Sequence, residues 1–185
     1  MKDIEIEVDA FIPSYLKSFD RFEKSKYISF RPAPSRVELQ ETIFDIFELL
    51  FPGRSGQGVL YEHTVVQFIT QLMKKLTKEL EKHIFLGWFY NNPYQLKDDD
   101  TAQYKEIAKK TTIKFLEALP EIRIKLKEDA NAAFDGDPAA TSIQETILTY
   151  PGICALTMHR IANFLYNEKV PLIPRMFSEI IHNQT

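Results

Sequence analysis

A long stripe of apolar residues at helical spacing in the middle of the chain is the strongest constraint on the fold. Between Leu60 and Ile84, apolar side chains recur every three or four residues, a period that places them on one face of an α-helix. The members of the stripe are Phe68, Ile69, Leu72, Leu76 and Leu80. The chain has only six glycines among 185 residues, which argues against a sheet with many tight turns. A long helix ending near Gly87 is therefore expected.

Upstream of this stripe, the sequence carries the signals of a helix start and a helix end. Ser35 stands three residues before Glu38, the spacing of a capping box in which each side chain satisfies a free N–H at a helix N-terminus. Pro52-Gly53 closes this helix. The glycine-rich run at 53–58 lacks the lysine that a phosphate-binding loop places after its last glycine, so we interpret it as a linker.

Prolines and a second capping box divide the rest of the chain into helices. The acidic run at 98–100 suits a solvated helix N-terminus better than a cation site. Pro120 lacks an N–H and is expected to begin a new helix, because the first helical position needs no such donor. Ser142 repeats the capping-box spacing and begins a short helix, and Pro151 begins the next one. The last helical stretch is expected to run through Ile181.

Residues 1–34 carry weaker signals than the rest of the chain. The alternation of apolar and acidic residues over 4–8 is compatible with one short strand, and prolines from Pro13 onward interrupt any longer element. We therefore expect an irregular N-terminal arm over 1–34 and a helical domain over 35–185. The predicted fold class is all-α, a compact bundle of six or seven helices packed antiparallel, with no β-helix within this chain.

Composition and charge exclude several classes of partner and location. The chain has 23 Lys+Arg against 26 Asp+Glu, a formal net charge of −3, so neither a nucleic acid nor an anionic membrane surface is an expected partner. Charges interrupt every apolar run before the roughly 18 residues that a membrane span needs. The first five residues are too acidic for a signal peptide. The single cysteine, Cys154, cannot form a disulfide within the chain, which suits the cytoplasm.

The cysteine and the histidines are interpreted as structural residues. Cys154 is flanked by Ile153 and Ala155, so a buried apolar cysteine is preferred over a nucleophile. The histidines are scattered over different predicted helices, without the i, i+4 pair that places two imidazoles on one metal ion, so no metal site is expected. These histidines are His63, His83, His159 and His182.

The segment at 135–142 contains the most concentrated set of polar groups. It places Asp135 and Asp137 on a sharp turn between two predicted helices. An aspartate before a proline is held out of the helical region, and its oxygens can cap nearby amides. By this reasoning alone, Asp137 is a turn and helix-entry residue.

From this turn onward, the sequence resembles the helical N-terminal portion of the serine O-acetyltransferases. Motifs over 135–185 occur in the family's order and close to its spacing. They are Asp137-Pro138-Ala139-Ala140, Glu145-Thr146-Ile147-Leu148, Tyr150-Pro151-Gly152, His159-Arg160-Ile161-Ala162 and Pro174-Arg175-Met176-Phe177-Ser178-Glu179. Upstream, Leu50-Phe51-Pro52-Gly53 is similar to the longer variants of the family.

The resemblance implies cytosolic transfer of an acetyl group from acetyl-CoA to the hydroxyl of L-serine, the first committed step toward cysteine. In the family, a histidine base oriented by an aspartate deprotonates serine, and both belong to a left-handed β-helix expected to follow this chain. The resemblance therefore assigns no catalytic, cofactor-binding or metal residue here, and we expect the isolated chain to be inactive. Asp137 is carried over as the aspartate of the family's DPA motif, which helps to bind serine. Asn163 departs from the family, which often has a histidine there.

A second hypothesis is a non-catalytic helical oligomerisation or interaction module. Members of the family associate as trimers through their β-helices, and many pair trimers through the N-terminal helices, so a homo-oligomer is expected. The aromatic stripe of Phe44, Phe47 and Phe51 is a candidate contact surface, although aromatic residues at helical spacing are usually internal core. Without a neighbouring β-helix, an apolar end is expected near Ile180 and Ile181.

Overall fold

Seven α-helices and no strand occur in residues 2–20, 32–54, 61–91 and 98–182, which are the residues that the computed structural model describes. The helices are α1 (Lys2–Asp20), α2 (Arg36–Leu50), α3 (Glu62–Asn91), α4 (Asp98–Gly136), α5 (Ile143–Thr149), α6 (Pro151–Asn167) and α7 (Ile173–His182). The prediction of an all-α fold with six or seven helices is confirmed. No helix in the described ranges is both long enough and apolar enough to cross a membrane.

The chain divides into two units, and the first, Met1–Pro32, contains α1. The irregular structure and the short strand expected here are wrong for Lys2–Asp20, which is helical with Pro13 inside the helix. The physical reason is the spacing of the apolar residues around that proline, which follow one another at i, i+1, i+4 and i+5 and so share a helix face. These residues are Phe11, Ile12, Tyr15 and Leu16, and all four are exposed. The division into domains at residue 34 stays a prediction.

Helix α2 begins and ends at the predicted signals. The side chain of Ser35 caps the helix and accepts a hydrogen bond from the Glu38 N–H at 3.4 Å. At the other end, the Phe51 N–H donates to the Phe47 carbonyl at 2.8 Å, and Gly53 adopts φ +88° in the turn that follows. The linker predicted at 53–58 lies outside the described residues from position 55 onward.

Helix α3 contains the apolar stripe and continues through Gly87 to Asn91. The expected end of the helix near Gly87 is therefore wrong. A Cβ at this glycine would lie 2.6 Å from the carbonyl oxygen of Pro171, so the glycine permits a close approach of the chain between α6 and α7. Packing, and not helix termination, explains the residue. In the stripe, Leu76, Leu80 and Ile84 are fully buried.

Helix α4 is a single helix of 39 residues that includes Pro120. The expected start of a new helix at this proline is wrong. A proline removes one intrahelical hydrogen bond, but the buried stripe of the helix continues on both sides of it. This stripe is formed by Phe115, Leu119, Ile122 and Leu126, and its members are at most 9% exposed. Burial of these side chains offsets the lost hydrogen bond.

The C-terminal helices follow the predicted capping signals closely. Ser142 caps α5 and accepts a hydrogen bond from the Glu145 N–H at 3.1 Å, and Pro151 occupies the first turn of α6. In α7, Ile180 and Ile181 are 1% and 7% exposed. The apolar end expected near these two residues is therefore wrong, because α7 packs against α2, α3 and α6.

In the second unit, Ala33–Thr185, the long helices α3 and α4 pack against each other, α6 lies against α4 and α7, and α2 lies against α3. One buried apolar cluster extends through α2, α3, α4, α6 and α7. Phe47 and Phe51 belong to this cluster and are each 8% exposed, whereas Phe44 is 47% exposed. The aromatic stripe is therefore mostly internal core.

Candidate functional site

The chain between α4 and α5 forms a turn that holds the carboxylate of Asp137. One carboxylate oxygen, Oδ1, accepts a hydrogen bond from the Ala139 N–H at 2.9 Å. Pro138 has no N–H, so the amide of residue 139 is the first one available, and an aspartate that bonds the amide two residues on forms an Asx turn. The Asp137 carbonyl also accepts from the Ala140 N–H at 3.0 Å. We call residues 136–142 together with Tyr150 the Asp137 turn.

The second oxygen of this carboxylate, Oδ2, accepts a hydrogen bond from the hydroxyl of Tyr150. Tyr150 is both the last cap of α5 and the first cap of α6, with an extended backbone at φ −81° and ψ 116°. Pro151 favours this extended conformation in the residue before it. The junction between two helices therefore sets the direction of the phenol, and both oxygens of Asp137 are held by donors of the chain.

These hydrogen bonds fix the charge states of both groups. The Tyr150 hydroxyl, followed by the Ala139 N–H, holds the pKa of Asp137 below its usual range. The hydrogen bond to Asp137, followed by burial and by the negative charge of Asp137, raises the pKa of Tyr150 to about 12. At neutral pH, the aspartate is therefore an oriented anion and the tyrosine is a protonated donor.

Glu145 is a second carboxylate of this region that is held by hydrogen bonds of the chain. Its Oε2 accepts a hydrogen bond from the Thr141 N–H at 2.7 Å and another from the Thr141 hydroxyl. These bonds hold the pKa of Glu145 below its usual range. The glutamate thus caps the start of α5 while Asp137, on the same turn, keeps an accessible carboxylate edge.

A bidentate ion pair holds α6 against α4 behind this turn. Arg160 Nε and Nη2 donate to the two carboxylate oxygens of Asp129 at 2.7 Å and 2.8 Å. Arginine and carboxylate match in this two-point geometry, which fixes orientation as well as distance. Since α4 leads into the turn and α6 follows Tyr150, the pair fixes the two elements that hold the site. The neighbouring Asn163 is exposed and accepts from the Asn167 side-chain amide at 3.1 Å.

The structure does not bring the histidines to this turn. His159 on α6 and His182 on α7 are exposed, and His63 is exposed and stacked on Tyr61. His83 is 1% exposed on α3, and burial lowers its pKa to about 4. Within the described ranges, no group of three or more histidine, cysteine or acidic side chains could hold a metal ion.

Cys154 differs from the apolar, buried cysteine that the sequence suggested. The thiol is half-buried, and its Sγ accepts a hydrogen bond from Arg54 Nη2 at 2.7 Å. Arg54 lies in the turn after α2 and comes from a part of the chain 100 residues away. Cys154 packs against the apolar core, as expected, but it is only partly buried, and its flanking sequence gave no indication of its polar partner.

Tyr150 is the residue of this site to which the sequence analysis gave no role. It stood within a family motif, but its contact with Asp137 spans 13 residues and depends on the length of α5. Tyr150 lies immediately before Pro151, between the helix that Ser142 begins and the helix that Pro151 begins. This position restricts its backbone and could have indicated a fixed side chain.

Comparisons with known proteins show that this chain is similar to serine acetyltransferases. The chain is 36% identical over 157 residues to "Serine acetyltransferase, plasmid" of Synechococcus elongatus, a match that covers 84% of this chain and 49% of that protein. A shorter match, 53% identical over 55 residues, is to the serine acetyltransferase of Bacillus licheniformis and covers 30% of this chain and 26% of that protein. No protein-family model matches the chain.

A solved structure agrees with the sequence comparison. Serine acetyltransferase 1 of Entamoeba histolytica, in complex with L-cysteine, aligns with a TM-score of 0.61 at 25% identity, over 94% of this chain and 55% of that one. This chain is homologous to the serine acetyltransferases and corresponds to their N-terminal part. It spans about half the length of the first relative and of the solved structure.

Proposed function

We propose that this chain is the N-terminal substrate-binding and assembly domain of a serine O-acetyltransferase. The complete enzyme would transfer the acetyl group of acetyl-CoA to the hydroxyl of L-serine in cysteine biosynthesis, and it would do so in the cytoplasm. The carboxylate of Asp137, held by the Ala139 N–H and the Tyr150 hydroxyl, is the observation that carries the proposal. Homology to serine acetyltransferases supports it.

The chemistry of the Asp137 turn suits recognition of an amino acid. L-Serine presents an ammonium group and a hydroxyl, both of which can donate to an ionised carboxylate. The carboxylate is already oriented before the substrate arrives, so little conformational freedom is lost on binding. In our proposal, Asp137 forms part of the serine pocket and positions the substrate without taking its proton.

We assign the proton-transfer step to a part of the enzyme other than these residues. A general base must lie within hydrogen-bond reach of the substrate hydroxyl. In the serine O-acetyltransferase family, this base is a histidine that an aspartate orients. Of the histidines in the described ranges, His63, His159 and His182 are exposed and His83 is buried on α3. The binding of acetyl-CoA is likewise assigned to no described residue, and we expect the isolated chain to be inactive.

The test measures free thiol released from acetyl-CoA in the presence of L-serine. The chain is assayed alone and as a chimera with the C-terminal part of the Synechococcus elongatus relative. We expect no release by the chain and serine-dependent release by the chimera. In the chimera, Asp137→Asn should raise the KM for L-serine about tenfold, the usual effect of losing a charge-assisted hydrogen bond, while the KM for acetyl-CoA stays unchanged.

Asp135→Asn is the matched control, because this exposed carboxylate lies two residues before Asp137. It should leave both KM values unchanged. Turnover by the chain alone at the rate of the chimera would overturn the assignment of the base elsewhere. Equal effects of the two substitutions on the KM for L-serine would overturn the role of Asp137.

The assembly part of the proposal is supported by apolar residues on the outer face of α4. Ile113 and Ile124 are 46% and 58% exposed and lie three helical turns apart, on the same face. A second copy of this chain is the occupant that we propose for this face. Light scattering should give a mass above that of the monomer, reduced by Ile124→Glu. A mass equal to the monomer at every concentration would contradict assembly.

A further inference from the structure

A cavity of about 370 Å³ lies where α2, the turn after α2, α6 and α7 meet, and it shares no residue with the Asp137 turn. Its apolar wall is formed by Ile43, Phe47 and Ile181. Phe44 also lines the cavity and is 47% exposed, so the cavity reaches the surface. We call this feature the Arg54 cavity. Its volume suits a small organic molecule.

The guanidinium of Arg54 is held in this cavity by two contacts. Its Nη2 donates to the Sγ of Cys154 at 2.7 Å. Its Cζ lies 4.7 Å from the centroid of the Phe47 ring, which is the geometry of a cation–π contact. Because the guanidinium is hydrogen-bonded to Cys154 at one edge and lies over the Phe47 ring on one face, the direction of its other N–H donors is fixed.

The other terminal nitrogen of this guanidinium, Nη1, is buried and has no hydrogen-bond partner in the described part of the chain. A buried charged donor is unfavourable unless an acceptor pairs with it. Carboxylate oxygens are the acceptors that match the planar guanidinium most closely. The guanidinium of Arg54 lines the cavity and is therefore the group that pairs with a ligand carboxylate there.

The other lining groups restrict the class of ligand. Glu48 is 4% exposed and lines the same cavity, so its negative charge disfavours a ligand with several negative charges. The apolar wall favours a ligand that has an alkyl part beside its acid group. We propose that the Arg54 cavity binds a small organic monocarboxylate, whose carboxylate pairs with the guanidinium of Arg54 and whose alkyl part contacts Ile43, Phe47 and Ile181. This proposal does not depend on serine acetylation.

Cys154 provides a built-in reporter for the test, because it lines the cavity and is the only cysteine of the chain. The full chain is treated separately with iodoacetate and iodoacetamide, and mass spectrometry follows alkylation. In both reactions the sulfur forms a thioether bond to carbon, iodide leaves, and the thiol proton passes to the buffer. The reagents differ only in that iodoacetate carries a carboxylate.

For each thiol, we compare the alkylation rate by iodoacetate with the rate by iodoacetamide. We expect this rate ratio to be about tenfold higher for Cys154 than for free N-acetylcysteine amide, because tenfold is the usual effect of a charge-assisted hydrogen bond. Butyrate should slow alkylation by iodoacetamide, whereas its neutral counterpart butyramide should not. A rate ratio equal to that of the free thiol, or equal protection by the two compounds, would overturn the proposal.

Substitutions of Arg54 separate a binding role from general accessibility. Arg54→Gln should abolish the preference for iodoacetate and the protection by butyrate, and Arg54→Lys should retain part of both. Arg175→Gln, at an exposed arginine on α7, should change neither. Circular dichroism checks that the variants are folded. If the Arg54 variants unfold, the wild-type rate ratio and the butyrate protection still decide the question.

Discussion

The Asp137 turn and the Arg54 cavity each orient one ionised side chain, but they depend on contacts of very different range along the chain. Asp137 is held by donors 2 and 13 residues away. Arg54 is held by Phe47, within the preceding helix, and by Cys154, 100 residues away. The turn is therefore specified by local sequence, whereas the cavity exists only when α2, α6 and α7 are packed together.

The two sites also differ in the solvent exposure of their charged groups. The carboxylate of Asp137 lies at the surface, where water screens it, so its hydrogen bonds contribute little to stability. The buried Nη1 of Arg54 lies out of water, so its requirement for a partner is stronger. Perturbations of long-range packing should therefore affect the cavity and leave the turn unchanged.

Substitution of Gly87 by alanine should produce the largest separation between the two sites. The new Cβ would lie 2.6 Å from the Pro171 carbonyl oxygen and 3.1 Å from Ile173 Cγ1, so the chain leading into α7 must shift. We expect Gly87→Ala to lower the free energy of unfolding by about 2 kcal/mol, as overpacking does, measured by urea denaturation. The preference of Cys154 for iodoacetate should fall, while the carboxyl pKa of Asp137 should not change.

Gly152→Ala is the matched control for this substitution. No heavy atom lies within 4 Å of a Cβ at Gly152, which is in the first turn of α6. The replacement should leave the protein unchanged or stabilise it by up to about 1 kcal/mol through helix propensity. Equal destabilisation by the two alanines would show that the close approach at Gly87 is not the cause.

Acidification should weaken the packed helices through His83. Burial lowers its pKa in the folded protein to about 4, below the unfolded value of 6.5, so only the unfolded state binds a proton between these values. Stability is therefore lost as the pH falls through this window, and we expect a loss of about 1 kcal/mol between about pH 7 and about pH 5.5. Urea denaturation at the two pH values measures it.

His83→Gln should remove this part of the pH dependence, whereas His63→Gln, at an exposed histidine, should leave it in place. The carboxylate of Glu38 lies near His83 and opposes the shift, but burial outweighs it. An unchanged pH dependence in His83→Gln would assign the acid sensitivity to other groups.

Much of the fold could be predicted from the sequence because its determinants are local. The capping serines at 35 and 142 and the proline at 151 begin helices as predicted. The helix count was also right, although through two opposite errors: α1 was missed, and α4 was divided at Pro120. Proline and alternation are weak local signals. They were outweighed in α1 by the helical spacing of the apolar residues around Pro13, and in α4 by the burial of the apolar stripe around Pro120.

In the two sites, too, the features with local determinants could be predicted and those that depend on long-range contacts could not. The Asp-Pro pair predicted that Asp137 lies on a turn. The role of Asp137 in binding serine rests on the family resemblance and stays a prediction. The contact between Tyr150 and Asp137 could not be predicted without knowing the length of α5, which separates the two residues. The contact between Arg54 and Cys154 joins two segments that no local pattern relates, so the cavity could be found only in the folded structure.

Removal of the Tyr150 hydroxyl should affect the Asp137 turn alone and should give the smallest change in stability. In Tyr150→Phe, Asp137 keeps the Ala139 N–H but loses its largest stabilising contact, so its carboxyl pKa should rise toward the ordinary value. Because the folded pKa in the wild type lies below the unfolded value, the carboxylate favours folding at neutral pH, and this contribution is lost as the pH falls through the folded pKa. Carboxyl ¹³C titration measures the shift. Tyr166→Phe, at an exposed tyrosine, is the control, and a shift of the Asp137 pKa in both variants would contradict the assignment.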